Sequence, residues 1–291
     1  MGRSLRMIGI VLAAGNGTRM WPLTKSISKH LLPIHDKPMI YYPITTLMFA
    51  GAREIVLIAT PQHVRSYREL LGDGSQWGLK FHFIIQETAT GIADCFRLIP
   101  KTLQSQTATL ILGDNFFFGM GLGQTLRNSF SGEGALCLAY KVANPSEYGV
   151  VVFDQFGNPS KIVEKPEGHI SHWAIPGIYW FDHQCYGLAR SLKPSQRGEL
   201  EITDLLKSYL ENARLQTQIL PRGTTWLDAG TPRSLLSASS YVAVIEERQG
   251  LKIGCPEEVA LHEGYIDSSA FNDLVLRLPQ GDYKTYLQGL I

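Results

Sequence analysis

Cysteine is scarce in this chain. Cys95, Cys137, Cys185 and Cys255 are scattered through 291 residues, with no C-x-x-C pair and no histidine at zinc-ligand spacing. That pattern excludes a disulfide framework and a zinc site, and it reads as buried thiols of a protein working in a reducing cytoplasm. The eight histidines form no H-E-x-x-H or comparable pairing, so histidine-based metal chemistry has no support. Charge of one sign is also missing. Lysine and arginine number 27 against 26 acidic residues, which excludes a broad nucleic-acid or membrane surface and makes any anion site local. No stretch reaches the roughly 18 consecutive apolar residues that a membrane helix needs.

What the chain does have is a short apolar run, Ile8 to Ala13, breaking into A-G-N-G-T-R-M-W-P with Lys29 further on. The run reads as a buried strand. Gly15 and Gly17 let the backbone turn and bring its N–H groups to an anion, and Arg19 and Lys29 add charge. Gly15 and Gly17 are followed by Thr18, Arg19 and Met20, so G-x-G-x-x-G fails here, and a Walker loop is absent too. In isolation two glycines and an arginine read first as an ordinary strand and turn with a solvated arginine, and only their companions overturn that. Arg3 and Arg6 before Met7 to Ala14 imitate a secretory signal, but cleavage there would discard the strand that positions Arg19, so the segment reads as a first core strand.

Downstream, strand and helix patterns alternate. Helical spacing covers 39–50, 64–71 and 92–99, and strands are expected at 54–59, 81–86 and 108–112. Such alternation implies a sheet covered by helices on both faces, with ligands beyond the carboxyl ends of the strands, where 15–19, 86–91 and 113–115 fall. The second half is less regular. Strands are expected at 135–141, 149–153, 161–164, 174–181, 215–220 and 225–227, and helices at 184–191, 201–210 and 232–247, with 255–291 a helical appendage. The reading is one compact domain, residues 1–248, with an extension, residues 249–291.

Asp114 and Asp228 each follow a buried strand. Two carboxylates at strand ends can share a hard divalent cation completed by phosphate oxygens and water, although either alone serves equally as a turn or cap residue. In Glu164-Lys165-Pro166 the proline is expected to keep the lysine backbone extended, letting Lys165 enter the cleft as a further cation. R-G-E-L-E-I-T-D, residues 197–204, offers Glu199 to sugar hydroxyls; alternatively Ser195 caps the helix and Glu199 is merely solvated.

The motifs L-A-A-G-N-G-T-R-M-W-P, S-K-H-L-L-P, K-P-M-I-Y-Y-P, L-G-D-G-S-Q-W-G, L-G-D-N, E-Y-G-V-V, V-E-K-P, R-G-E-L-E-I-T-D, W-L-D-A-G-T and R-Q-G-L-K-I-G-C-P-E-E occur in this order. From about Met7 to the C-terminus the chain thereby resembles the glucose-1-phosphate thymidylyltransferases. The resemblance implies a three-layer α/β/α nucleotide-diphospho-sugar transferase fold, Rossmann-like, with a mixed, mostly parallel sheet and a C-terminal helical extension. It further implies a homotetramer, Mg²⁺ as cofactor, and synthesis of dTDP-glucose from dTTP and glucose 1-phosphate. That is the first step toward dTDP-L-rhamnose and related sugars of surface glycans such as the O-antigen. Position by position, it implies that Arg19 and Lys29 hold the triphosphate and that Gln86 and Gly91 read the thymine edge. Leu12, Ala14, Gly15, Gly17 and Thr18 form the nucleotide loop, and Asp114 and Asp228 bind magnesium. Gly149, Glu164, Lys165, Tyr179 and Glu199 surround the sugar and its phosphate, and Asn115, Ile175 and Trp226 are further substrate-binding positions. Residues 250–258 resemble part of a second nucleotide site through which dTDP-L-rhamnose inhibits.

Several positions depart from that pattern. Ala14 adds a methyl where backbone approaches the nucleotide, Thr90 and Asp94 alter the segment after Gln86, Ala229 replaces a threonine, and Pro176 stands beside the sugar pocket. Two other readings stay open. One is an enzyme of the same fold using UTP or another sugar 1-phosphate, because thymine and uracil differ by a methyl. The other is a non-catalytic subunit that binds a nucleotide sugar.

Overall fold

The computed structural model describes residues 7–291; Arg3 and Arg6 of the signal-like segment lie outside the described residues. In chain order the strands are β1 (Met7–Ala13), β2 (Pro33–Ile34), β3 (Lys37–Pro38), β4 (Glu54–Ala59), β5 (Lys80–Ile85), β6 (Thr107–Leu112) and β7 (Asn115–Phe118). They continue as β8 (Ala135–Lys141), β9 (Val150–Phe153), β10 (Pro159–Val163), β11 (Trp173–Ala174), β12 (Ile178–Phe181), β13 (Leu215–Ile219) and β14 (Thr225–Asp228). The helices are α1 (Tyr41–Phe49), α2 (Val64–Leu71), α3 (Cys95–Leu98), α4 (Leu122–Asn128), α5 (Cys185–Ser191), α6 (Ile202–Glu211), α7 (Pro232–Gln249), α8 (Pro256–His262), α9 (Ser268–Arg277) and α10 (Asp282–Gln288).

Ten strands form the central sheet in the order β10-β9-β11-β8-β12-β6-β1-β4-β5, with β13 alongside β8. The sheet is mixed. β6, β1, β4 and β5 run parallel, whereas β12 is antiparallel to both β6 and β8 and the pairings among β8 to β11 are antiparallel. The parallel part is built by crossover helices, the antiparallel part by the Pro, Gly and Asn turns of the less regular second half. Period-two alternation in β1 and β4 divides the core. Val11, Ala13, Ile55, Leu57 and Ala59 pack on the α1 and α2 face; Ile8, Ile10, Val56 and Ile58 pack on the other with Cys95, Phe96, Leu205 and Tyr209 of α3 and α6. Each of the valine, isoleucine, leucine and phenylalanine side chains among them contributes about 1.5–3 kcal/mol when fully buried.

Register sets where the site can form. Leu12 pairs with Leu112 and Ala13 with Ala59, while Ala59 pairs with Ile85. The four parallel strands therefore stop level, and the segments beginning at Ala14, Thr60, Gln86 and Gly113 leave the sheet along one edge.

Outside this sheet, β7 and β14 form an antiparallel ribbon with Asn115 opposite Asp228 and Phe116 opposite Leu227. Neither β7 nor α4 is expected from the sequence, where F-F-F-G-M-G-L-G is dominated by glycine. The single strand expected at 174–181 is two, β11 and β12, separated at Pro176, which has no N–H to give a ladder. The expected helix at 92–99 is a 3₁₀ turn, Ile92–Asp94, running into α3. The segment 249–291 carries α8, α9 and α10. Val259 and Ala260 of α8 enter the α1-side core, and the Tyr265 hydroxyl donates to the carbonyls of Met48 (2.7 Å) and Ala52 (3.1 Å). No helix among the described residues is long and apolar enough to cross a membrane.

Candidate active site

The loop after β1 is a tight turn. Gly17 has φ 63, the left-handed region open to glycine, and it begins the 3₁₀ turn Thr18–Met20 that carries Arg19. The Thr24 hydroxyl donates to the Gly17 carbonyl at 2.8 Å and holds the turn closed. Across the edge, Asp114 follows β6, and the β7–β14 ribbon brings Asp228 beside it. The Ala229 N–H donates to the Asp114 carbonyl at 3.0 Å. Asn115 locks the arrangement: its amide donates to Asp114 Oδ1 at 3.1 Å, and its Oδ1 accepts from Gly177 N (3.0 Å) and Trp226 Nε1 (2.6 Å).

The two carboxylates and Arg19 converge on one point. A methyl placed on Gly230 would lie 2.7 Å from Asp228 Oδ1, 2.9 Å from Arg19 Nη2 and 3.4 Å from Asp114 Oδ2. Lys29 supplies a further cation, its Nζ 2.5 Å from Asp114 Oδ2. The carboxylates are driven apart in acidity. Burial, the largest single influence, raises Asp114, but the Lys29 and His30 charges and the hydrogen bonds from Lys29 and Asn115 together outweigh it and hold that group below the usual range. Burial and the adjacent Asp114 charge push Asp228 up, with Lys29 and Arg19 pulling back. Two hard carboxylate donors brought side by side suit a divalent cation, which phosphate oxygens and water would complete. The cluster His35, Asp36 and Glu246 also gathers ligand-type atoms. The ammonium groups of Lys37 and Lys252 already neutralise it, at 2.8 and 2.9 Å from Glu246, so it is an ion network tying β2 and β3 to the end of α7.

A cavity of about 190 Å³ opens beside these groups. Arg19, Asp114, Asn115, Gly149, Glu164, Lys165, Ile175, Tyr179, Glu199, Trp226 and Asp228 all line it. Burial and the Glu201 carboxylate raise Glu164, while the Thr203 hydroxyl, 3.1 Å away, pulls it back by donating. Gly15 and Lys29 line an adjoining cleft of about 210 Å³ with Asn16, Thr60 and His63. Leu12, Ala14, Gly17, Thr18, Gln86 and Gly91 line neither. Ala14 is 2% exposed and packs into the α3-side core. The Leu12 carbonyl accepts from Gly113 N at 3.0 Å, and Thr18 is exposed at the turn. Gln86 is 4% exposed directly after β5.

Gly91 has φ 114 and lies flat against Leu200. Leu200 N donates to the Thr90 carbonyl (2.8 Å) and Ala93 N to the Leu200 carbonyl (3.0 Å), so the loop after β5 is stapled to the segment holding Glu199 and Glu201.

Two local expectations are corrected. Lys165 is not extended: its φ is 39, in the left-handed region, because proline excludes only the right-handed helical basin for its neighbour and the chain must turn sharply after β10. Ser195 caps no helix; its hydroxyl donates to Glu201 Oε1 at 2.7 Å, and α6 begins at Ile202. Pro176 lies between Ile175 and Gly177, which line the cavity, and is not itself in the lining. Sequence reasoning also missed Arg197 as a site residue. It lies in the cavity among Glu199 (2.7 Å), Glu201 (3.2 Å) and Glu164 (3.7 Å); its charge at the head of R-G-E-L-E was the available signal.

A parallel sheet edge bearing a glycine turn, paired carboxylates and cations from four parts of the chain defines an α/β enzyme acting on phosphate groups. The chain belongs to the nucleotidyl transferase family, which it matches over residues 8–244, a family that suggests a divalent metal. It is 46% identical to the glucose-1-phosphate thymidylyltransferase of Mycolicibacterium smegmatis over 98% of this chain and 99% of that one. It is 42% identical to the enzyme of the same name from Neisseria meningitidis, over 98% and 99%. Among solved structures, a putative glucose-1-phosphate thymidylyltransferase from Bacillus anthracis in complex with a sucrose superposes with TM-score 0.74 at 35% identity, covering 81% of this chain and 94% of that one. A UDP-glucose pyrophosphorylase complexed with UDP-glucose shares the fold, with TM-score 0.72 at 24% identity over 83% and 99%.

Proposed function

We propose that this nucleotidyltransferase makes dTDP-glucose and pyrophosphate from dTTP and glucose 1-phosphate. The observation that carries the reading is the convergence of Asp114, Asp228, Arg19, Lys165 and Arg197 on one cavity, with Lys29 seated on Asp114. A phosphate oxygen of glucose 1-phosphate attacks the α-phosphorus of dTTP in line. The new O–P bond forms as the bond from that phosphorus to the bridging oxygen breaks, and the electron pair leaves with pyrophosphate. The attacker is already an anion, so the protein needs to align and neutralise rather than supply a nucleophile. Ser28 Oγ lies 3.2 Å from His30 Nδ1, and this pair fits that view: Ser28 is 3% exposed, and burial with the Lys29 charge holds His30 to about 3, far too weak a base at neutral pH.

In this reading Arg19 and Lys29 take the charge of the triphosphate and of the departing pyrophosphate. Lys165 and Arg197 hold the sugar phosphate, and Gly149, Glu164, Ile175, Tyr179 and Glu199 surround the glucose, with Asn115 and Trp226 bracing the wall. Gln86 and Gly91 face the thymine, and Leu12, Ala14, Gly15, Gly17 and Thr18 give the loop along the nucleotide. Mg²⁺ held by Asp114 and Asp228 would supply Lewis-acid neutralisation of the phosphates. The product would feed dTDP-L-rhamnose and related sugars in the cytoplasm, a compartment that suits four free, buried cysteines.

The functional division at residue 249 is part of the same reading. A second cavity of about 370 Å³ is walled by Thr45, Phe49, Phe118, Lys252, Glu258 and His262, and it supports a regulatory role for the extension in a homotetramer, with dTDP-L-rhamnose as inhibitor. Pyrophosphate release measured with dTTP, UTP and dCTP against a panel of sugar 1-phosphates tests the substrate assignment. The highest kcat/KM is expected for dTTP with glucose 1-phosphate; preference for UTP or another sugar corrects the substrate, and silence throughout leaves only nucleotide-sugar binding. Unchanged activity at saturating dTDP-L-rhamnose would count against the regulatory reading.

A further inference from the structure

The amide of Gln86 is not free to turn. Its Nε2 donates to Asp94 Oδ2 at 3.1 Å, and the same oxygen accepts the Thr90 hydroxyl at 2.6 Å. Arg97 Nη1 stands 3.9 Å from the other Asp94 oxygen, keeping the carboxylate in place. A carboxylate only accepts, so the amide must keep its nitrogen toward Asp94. One N–H is thereby used. The opposite edge of Gln86 is left with Oε1 as acceptor and the remaining N–H as donor, side by side.

We propose that Asp94 is a specificity-determining residue, positioning Gln86 so that the site takes a pyrimidine with a ring N–H beside a carbonyl and rejects cytosine. Thymine and uracil present N3–H as donor and O4 as acceptor, which matches the fixed edge. Cytosine presents an unprotonated N3 and an amino group, the reverse pattern. An unrestrained glutamine meets either base by rotating its amide half a turn. Here that rotation turns Oε1 against the Asp94 carboxylate and strands two acceptors face to face, the type of mismatch by which hydrogen-bonding sites discriminate most strongly. Asp94 does not separate thymine from uracil, whose edges are alike.

The inference rests on the reading that Gln86 faces the base, and the test separates the two. Measure kcat/KM for dTTP and dCTP, with glucose 1-phosphate fixed, in the wild type, Gln86→Ala, Asp94→Asn and Asp94→Ala, together with equilibrium binding of each nucleotide. Gln86→Ala is expected to lower kcat/KM for dTTP at least tenfold; no change there refutes the base-facing reading itself. Asp94→Asn and Asp94→Ala are expected to narrow the dTTP to dCTP ratio at least tenfold, chiefly by raising dCTP. A merely structural role lowers both nucleotides in proportion, so an unchanged ratio in either folded Asp94 variant, with Gln86→Ala impaired, overturns the proposal.

Discussion

Gly91→Ala perturbs a place where the loop after β5 is joined through backbone to the segment that carries Glu199 and Glu201. The new methyl would lie 2.4 Å from the Leu200 nitrogen and 2.5 Å from its carbonyl oxygen, atoms that no rotamer can move aside. A non-glycine residue at φ 114 adds strain of about 1–3 kcal/mol. Relieving the clash separates the loop from Leu200 and gives up two backbone hydrogen bonds, at about 1 kcal/mol each. The sum, about 3–5 kcal/mol, is below the 5–15 kcal/mol typical of a whole domain, so the variant folds with the staple open. Pyrophosphate release with each substrate varied in turn is the assay. KM should rise at least tenfold for both dTTP and glucose 1-phosphate, because Gln86 and Asp94 lie on one side of the staple and Glu199 and Glu201 on the other. Gly157→Ala is the control. It has φ 85 with nothing within 4 Å of the added methyl, and it should cost about 1–2 kcal/mol of strain with unaltered kinetics. If Gly91→Ala merely lowers the melting temperature as Gly157→Ala does, the coupling argument is wrong.

Arg19→Ala should lower kcat by about 10²-fold or more, the usual effect of losing a charge contact made in the transition state; near-normal turnover would remove Arg19 from the mechanism. Gly230→Ala should cut activity at least tenfold with little loss of stability, since its methyl meets Asp228 and Arg19 inside 3.0 Å; crystallographic or kinetic equivalence to the wild type would refute the convergence drawn for these groups. His30 gives a pH prediction. Its folded pKa, depressed to about 3, lies below the unfolded value of 6.5, so the unfolded chain takes up the proton first and stability falls as pH drops below 6.5. Between pH 7 and 5 this amounts to about 2 kcal/mol, measurable by urea unfolding; His30→Gln should lose that portion of the slope, and an identical slope would show that His30 does not carry it.

The parallel part of the sheet was legible because buried parallel strands are short apolar runs, and β1, β4 and β6 are that. Once they are aligned, the loops carrying Arg19, Gln86 and Asp114 must share an edge, so much of the site follows from pattern. The β7–β14 ribbon did not follow. Its strands are more than a hundred residues apart, and Asn115-Phe116-Phe117-Phe118 merges into a glycine run. Lys165 illustrates a different limit: the following proline forbids one backbone basin, and only tertiary packing chooses among those that remain. Asp94 was visible as a departure in the segment after Gln86. That it binds the Gln86 amide depends on a 3₁₀ turn and on side-chain rotamers, which spacing does not encode. Ala14 packs into the core because the strand's alternation carries through it.

The central claim is a single displacement at the α-phosphorus of dTTP by the phosphate of glucose 1-phosphate. It is tested most directly by supplying dTTP carrying sulfur at the α-phosphorus in one known configuration and reading the configuration of the nucleotide sugar by phosphorus NMR. One in-line attack inverts that centre, and inversion is the result expected here. Retention would require two displacements through a nucleotidyl-enzyme, for which no nucleophile has been assigned, and it would contradict the account.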